Sequence, residues 1–469
     1  MTIPGNDALP SDLCALSAIQ LAKGYARHDF SPLDVMQAVL ERTTRLNPSI
    51  NAFFYIDAEG ALAAARRSSE RWSRGAPQGS LDGIPVSIKD SIAVAGTPMR
   101  RGAAPFRNRG PSTFNAPPAA RLVESGAILF AKTTMPDLGL LASGVSSAHG
   151  VTSNPWNLAH NTGGSSSGAA AALAARLGPL SVGSDLGGSV RLPAALCGLT
   201  ALKPTQGRIP HLPPSPYRSA GPMARSMGDL SMLFGVLSLP DARDYGSLPA
   251  SSPDDRRSVQ HGVKGWRIGI LESMGFGPRA EEPILRAVGK TARLLGDAGA
   301  EVCPIGPLLD FDPTGAFETV FGPRAFHEVA HLSTEERHQI HPALHGLITG
   351  GAKVDAEQLL KAGDELERAK ATVTERTLPF DLIVAPTTHV VGFPADRAAP
   401  DERRLLDITT YTAMFNQTGQ PAAVICGGLA ENGLPVGVQF IGRRHEDFRV
   451  LHAAALCEAT LALPMAWPM

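Results

Sequence analysis

Hydrophobic positions along the chain switch between two spacings. Residues 11–75 read as amphipathic helices; in "SPLDVMQAVLERTTRL" Ser31 stands as the N-cap and Pro32 at the first helical position. Short apolar runs with strand character follow at 84–88 (IPVSI), 127–131 (AILFA), 266–271 (WRIGIL), 381–386 (DLIVAP), 422–426 (AAVIC) and 436–441 (VGVQFI). A strong helical segment, "EEPILRAVGKTARLLGDAGA" (281–300), sits between two of them. Helical and strand patterns alternating from end to end predict an α/β protein. The only linker-like stretch is 247–265, rich in Ser, Pro and charge. Length alone suggests about three domains, but the strand–helix rhythm resumes past that stretch, so one large domain with an inserted segment fits equally.

Composition narrows the classes. The chain has 469 residues, 43% hydrophobic and 19% charged, with net charge -1, a balance that attracts neither nucleic acid nor an anionic membrane. The opening residues lack a basic stretch followed by an apolar run, and no stretch of about 18 apolar residues occurs, so the expected location is cytoplasmic. Five cysteines without CxxC spacing predict neither a disulfide framework nor a thiolate metal site.

The candidate chemistry lies in residues 160–193, "HNTGGSSSGAAAALAARLGPLSVGSDLGGSVRLP", where two Gly/Ser knots flank an Ala-rich segment. Three readings of the first knot compete. A flexible linker is disfavoured because strong helix formers follow Ser167 and end at Gly178–Pro179, placing the knot at a helix start. A phosphate cradle lacks both the Gly-Lys-Ser/Thr ending and a strand-borne GxGxxG. "GSSSG" (164–168) matches the nucleophile elbow with Ser166 at its centre, but "NPWNLAHNTG" before it is loop chemistry where the elbow requires a buried strand. In the second knot, a short strand around 180–182 leads through a turn to Gly187-Gly188-Ser189 and a helix. Two glycines let consecutive N–H groups form an anion nest, and a serine at its end can attack a carbonyl whose oxyanion the nest holds. Such a serine needs a base. None of 13 histidines is singled out by spacing; Lys89, ending an apolar strand, can serve if burial lowers its pKa, the alternative being a solvent-facing lysine or a pair with Asp90.

Taken together, "GIPVSIKD", "GGSSSGAAAALAA", "GSDLGGSVRLPAALCGLTALKPTQGR" and "FNQTGQPAAVICGGLAENGLPVGVQFIGR" resemble the amidase signature family of serine hydrolases. The resemblance runs to about residue 235 and resumes from about residue 375. It implies a central mixed, twisted β-sheet covered by helices on both faces. It divides the chain into an N-terminal helical segment (1–75), a signature core (76–235), a variable substrate-cavity region (236–375) and a C-terminal part of the same domain (376–469). It also implies a catalytic triad of Ser189 as nucleophile, Ser165 as bridging serine behind a cis peptide, and Lys89 as base. The backbone N–H groups of Leu186, Gly187, Gly188 and Ser189 are then the oxyanion hole, with Ser166 supporting the loop and Asp185 pinning the nest with Arg191 as partner. No cofactor and no metal are implied. The sequence departs from the family pattern at Ser167, where a glycine is more frequent, and at Ser184 and Leu186, where threonines are. These changes bear on loop packing more than on the triad.

Two rivals remain. "FHEVAH" places His327, Glu328 and His331 in the HExxH spacing of zinc hydrolases, without the metzincin continuation; the other reading of this segment is a helix beside the substrate cavity, with Phe321, Phe326 or His327 touching substrate. Family members also serve as the amidase subunit of a tRNA-dependent amidotransferase, but "AFETVFGPRAFHEVAHLS" does not resemble the Ser-Asn-Leu-Ala-Arg-Tyr run of that subunit. The expected function is therefore free-standing cleavage of a C–N bond, on the small amides, aryl acylamides or ureas known for the family. Aromatic residues without an arginine cluster at 310–350 tilt the expectation toward an uncharged, partly apolar substrate. No nucleic-acid or membrane partner is expected; homodimerisation is the general default.

Overall fold

The computed structural model describes residues 12–251 and 262–469. The first eleven residues, and with them part of the N-terminal reading, lie outside the described residues, as does the middle of the linker-like stretch.

Among the described residues, eleven strands form one mixed sheet. In chain order they are β1 (Phe53–Ile56), β2 (Pro85–Lys89), β3 (Ile128–Thr133), β4 (Leu180–Asp185), β5 (Thr200–Lys203), β6 (Ser219–Ala224), β7 (Arg267–Leu271), β8 (Glu301–Ile305), β9 (Leu382–Pro386), β10 (Ala422–Leu429) and β11 (Pro435–Ile441). Across the sheet they run β1-β3-β2-β4-β6-β5-β10-β11-β9-β7-β8. β2 lies parallel to both β3 and β4, whereas β6 runs antiparallel to β4 and β5. Helices cover both faces, and the main core lies between them and the sheet.

All six expected apolar runs are strands, shifted by a residue or so or extended at one end, because strands flanked on both sides read as nearly continuous apolar runs. The 281–300 segment is the Glu282–Asp297 helix, and Ser31 caps the Pro32–Ile50 helix through a reciprocal bond with Asp34. One expectation is corrected. Residues 11–75 are not wholly helical: "FFYI" leaves the Pro32–Ile50 helix after left-handed Asn51 and adds antiparallel to β3.

The topology brings the chemistry together. β2 and β4 are adjacent, every residue of both is buried, and both end at the same edge of the core. Lys89 is the last residue of one and Asp185 the last of the other. The first knot sits just beyond, at the start of the Ser167–Ala174 helix.

Candidate active site

Lys89 is fully buried, and its Nζ lies 2.7 Å from Ser165 Oγ and 3.3 Å from the carbonyl of Ser184. Burial lowers the amine from its ordinary value to about 7; Asp185 opposes the shift and Arg218 adds to it. The alternative partner, Asp90, is occupied elsewhere, accepting from the N–H groups of Arg100 (2.7 Å) and Gly102 (2.8 Å). Burial alone is not diagnostic. Lys132 and Lys203 are also enclosed and lowered, to about 8 and about 7, but each donates to a backbone carbonyl. Of these three lysines, Lys89 alone meets a serine hydroxyl.

The two knots are laced to one another. Ser165 follows a cis Gly164–Ser165 peptide, as the family resemblance implied. The Ser166 N–H donates to the carbonyl of Ser189 at 3.0 Å, and Ser166 Oγ is placed between the N–H and carbonyl of Ser184, 3.4 Å from each. Ser166 is fully buried and committed to backbone, which fits a loop support and not an exposed nucleophile. Ser189, by contrast, is half-buried and lines a cavity.

Asp185 and Arg191 stand behind Ser189, both without exposure to solvent. The Asp185 carboxylate accepts from Arg191 Nε (3.0 Å) and Nη2 (3.1 Å), from Asn416 Nδ2 (2.9 Å), and from the N–H groups of Gly188 (2.7 Å) and Val190 (3.2 Å). Burial works against its ionisation, but Arg191 and Asn416 hold it well below the usual carboxylate range. Arg191 is completed by Gln439 Oε1, Asn416 Oδ1 and the Thr412 carbonyl, at 2.7, 2.6 and 3.1 Å. A buried pair satisfied on every side fixes geometry, which is what a nest of backbone donors requires.

The nest is narrower than the sequence suggested. The Gly188 N–H is spent on Asp185, so it is not free to meet an oxyanion. Among the described residues, the N–H groups of Leu186, Gly187 and Ser189 have no protein acceptor. Gly188 is required for a different reason. Its φ is +127°, and a Cβ there would stand 2.4 Å from Thr412 Oγ1, the hydroxyl that donates to the Gly187 carbonyl at 2.6 Å.

The cavity beside Ser189 encloses about 530 Å³. Its walls are mainly Leu140, Leu141, Leu344, Leu347, Phe317 and Phe321, with Leu186 and Gly187 at the Ser189 end. Of the three expected pocket residues, Phe321 is present and the other two are corrected. Phe326 packs into a separate small core with Val329 and Leu344, and His327 is exposed. The reason is helical: Phe317 and Phe321, four residues apart on the Thr314–Val329 helix, stack at 6.2 Å on one face, while five and six residues further the side chains have rotated away.

The HExxH segment is helical but not assembled for metal. His327 and His331 are exposed, the His331 ring lies against Phe106, and Glu328 pairs with Arg101 at 2.8 Å. Among the described residues no three His, Cys, Asp or Glu side chains converge as metal ligands, and no helix is long and apolar enough to cross a membrane.

Sequence reasoning missed Thr412, Asn416 and Gln439. The last two lie within "FNQTGQ" and "GVQFIGR", where polar side chains flanked by apolar residues are the available signal.

Comparison with known proteins bears on the family. The family model described as Amidase matches residues 34–451. The chain is 32% identical to a glutamyl-tRNA(Gln) amidotransferase subunit of Chloroflexus aurantiacus, over 94% of this chain and 96% of that one. It is equally 32% identical to an acylamidase of Rhodococcus erythropolis, over 95% of each. Among solved structures, a bacterial aryl acylamidase superposes with a TM-score of 0.87 at 26% identity, covering 95% of this chain and 96% of that one. A 6-aminohexanoate cyclic dimer hydrolase gives 0.87 at 25% identity, covering 98% and 99%. A match running through both knots, Lys89 and the Asn416 segment makes the chain a member of the amidase signature family.

Proposed function

We propose that this protein is a serine amidohydrolase that cleaves the C–N bond of a small, partly apolar amide through an acyl-enzyme on Ser189. The observation that carries this reading is the buried Lys89–Ser165 contact of 2.7 Å, with Lys89 held near neutrality, next to the loop that bears Ser189. In the proposed cycle Ser189 Oγ attacks the amide carbonyl. Its proton passes to Ser165 Oγ as the Ser165 proton passes to neutral Lys89. The N–H groups of Leu186, Gly187 and Ser189 stabilise the oxyanion, each donor contributing about 3 kcal/mol in comparable sites. Collapse breaks the C–N bond, the relay returns a proton to the leaving amine, and water then releases the acyl group by the same route. The apolar cavity and its paired Phe317 and Phe321 support an aryl or other apolar group on the substrate, such as an aryl acylamide or aryl urea.

The competing reading, the amidase component of a tRNA-dependent amidotransferase, is favoured by 32% identity to proteins of that name. Steady-state assay of the purified chain, without partner subunits or tRNA, separates the two. The amidohydrolase reading predicts release of aniline from acyl anilides, abolished in Ser189→Ala. Glutamine hydrolysis appearing only when partner subunits are added would reverse the assignment.

A further inference from the structure

Next to the cavity wall stands a cation that no described carboxylate neutralises. Arg218 directly precedes β6, and the next residue, Ser219, pairs with Asp185 across β4. Arg218 therefore stands where the chain opposite becomes the Leu186–Ser189 loop. The placement is fixed on two sides. The Tyr217 carbonyl accepts from Asn416 Nδ2 at 3.2 Å, the same amide that holds Asp185, and the Tyr217 ring meets the cavity wall at Phe321 with centroids 6.0 Å apart.

The guanidinium of Arg218 is poorly satisfied. One Nη donates to the Pro213 carbonyl at 3.0 Å, while Nε is buried and has no hydrogen-bond partner among the described residues. The nearest acidic influence is Glu328, which is already paired with Arg101 at 2.8 Å. Burial, then the charges of Arg101 and Arg324, push the guanidinium below its ordinary value, Glu328 opposing. Arg109 is influenced by the same Arg101 and Glu328 but is itself exposed, over the Phe106 ring. Leaving a cation such as Arg218 half-desolvated is unfavourable unless an anion completes it, and the planar fork of arginine suits a carboxylate held by two parallel bonds.

We propose that Arg218 is a specificity-determining residue that binds a carboxylate on the substrate, a few atoms from the scissile carbonyl, while the apolar cavity takes the remainder. This rests on the hydrolase reading above and changes the expected substrate from an uncharged amide to an anionic one. The expectation drawn from residues 310–350 did not reach Arg218, which lies about a hundred residues earlier in the chain, just before β6.

Calorimetry on the non-turning-over Ser189→Ala protein tests it with two matched pairs: N-phenylsuccinamate against N-phenylsuccinamide, and hippurate against hippuramide. These place the carboxylate on the acyl or the amine side. The expected result is that at least one acid binds about tenfold or more tighter than its amide. That ratio falls to about one in Ser189→Ala/Arg218→Gln and is partly restored by Arg218→Lys, which keeps the charge but not the fork. Equal affinities within both pairs, absence of binding by all four compounds, or a preference that survives Arg218→Gln would overturn the proposal. Release of aniline from a neutral acyl anilide by the otherwise unaltered protein, without partner subunits, reports on the hydrolase reading separately, so failure of one is distinguishable from failure of the other.

Discussion

Lys89→Met separates what the buried lysine does for catalysis from what it does to stability. In the folded protein the amine is lowered by burial to about 7, whereas in the unfolded chain it returns to about 10.4. Between these values the unfolded state binds a proton that the folded state does not, so this group makes wild-type stability rise with pH across that window. Integration gives an unfavourable contribution of about 4 kcal/mol at about pH 7 and about 1 kcal/mol at about pH 9.5. The hydrogen bond to Ser165 offsets about 1 kcal/mol. Methionine fills the site without a charge. Lys89→Met should therefore be more stable than wild type by about 3 kcal/mol near neutrality and about equal to it at about pH 9.5. Because Lys132 and Lys203 are shifted too, the assay is the difference between urea unfolding midpoints of variant and wild type at the two pH values, in which their contributions cancel. The same substitution should lower kcat/KM by a factor of about 100 to 10,000, since the base is gone. A stability gap that does not change with pH, or a variant destabilised at both, would refute the reasoning.

Other outcomes follow from the same network. Wild-type kcat/KM on a neutral anilide should rise with pH and reach half its maximum near pH 7, because only unprotonated Lys89 accepts a proton; a flat profile across that range would contradict this. Asp185→Ala should destabilise by about 3–5 kcal/mol by leaving Arg191 charged and buried without its partner, measured by urea unfolding. Gly188→Ala should reduce kcat far more than it raises KM, because the new methyl meets Thr412 Oγ1 and displaces the loop that carries the N–H donors. Substituting His327 and His331 together by alanine should leave anilide turnover within about twofold of wild type, as exposed side chains away from the cavity contribute little to catalysis.

Much of the sheet was legible because β2, β3, β9, β10 and β11 are enclosed and carry runs of apolar residues long enough to stand out. Two of the strands that were not legible lack that signature. β6, "SAGPMA", holds Gly221 and Pro222 in the sheet interior and is made a strand by β4 and β5 on either side, while β8, "EVCPI", is a half-exposed edge with Pro304. Lys89, Ser165 and Ser189 were singled out together only through the resemblance of their segments, which lie at strand ends and helix starts, to the amidase signature. The pocket could not be singled out, since its walls combine residues 139–142, 317–321, 343–354 and 402–413, and the periodicity of any one segment does not reveal which face meets the others. The four-residue offset from Phe317 to Phe321 was the local clue, and counting it would have excluded Phe326. The commitment of the Gly188 N–H to Asp185 required coordinates, because an acidic residue three positions before a glycine fits a turn as well as a nest.

The most direct test of the central claim is the mass of the intact protein, with peptide mapping, after exposure to a fluorophosphonate. A Ser189 nucleophile predicts one adduct, on the peptide bearing Ser189, absent in Ser189→Ala, retained in Ser166→Ala and indifferent to a chelator. An adduct that persists in Ser189→Ala, or that maps to Ser166, would contradict it.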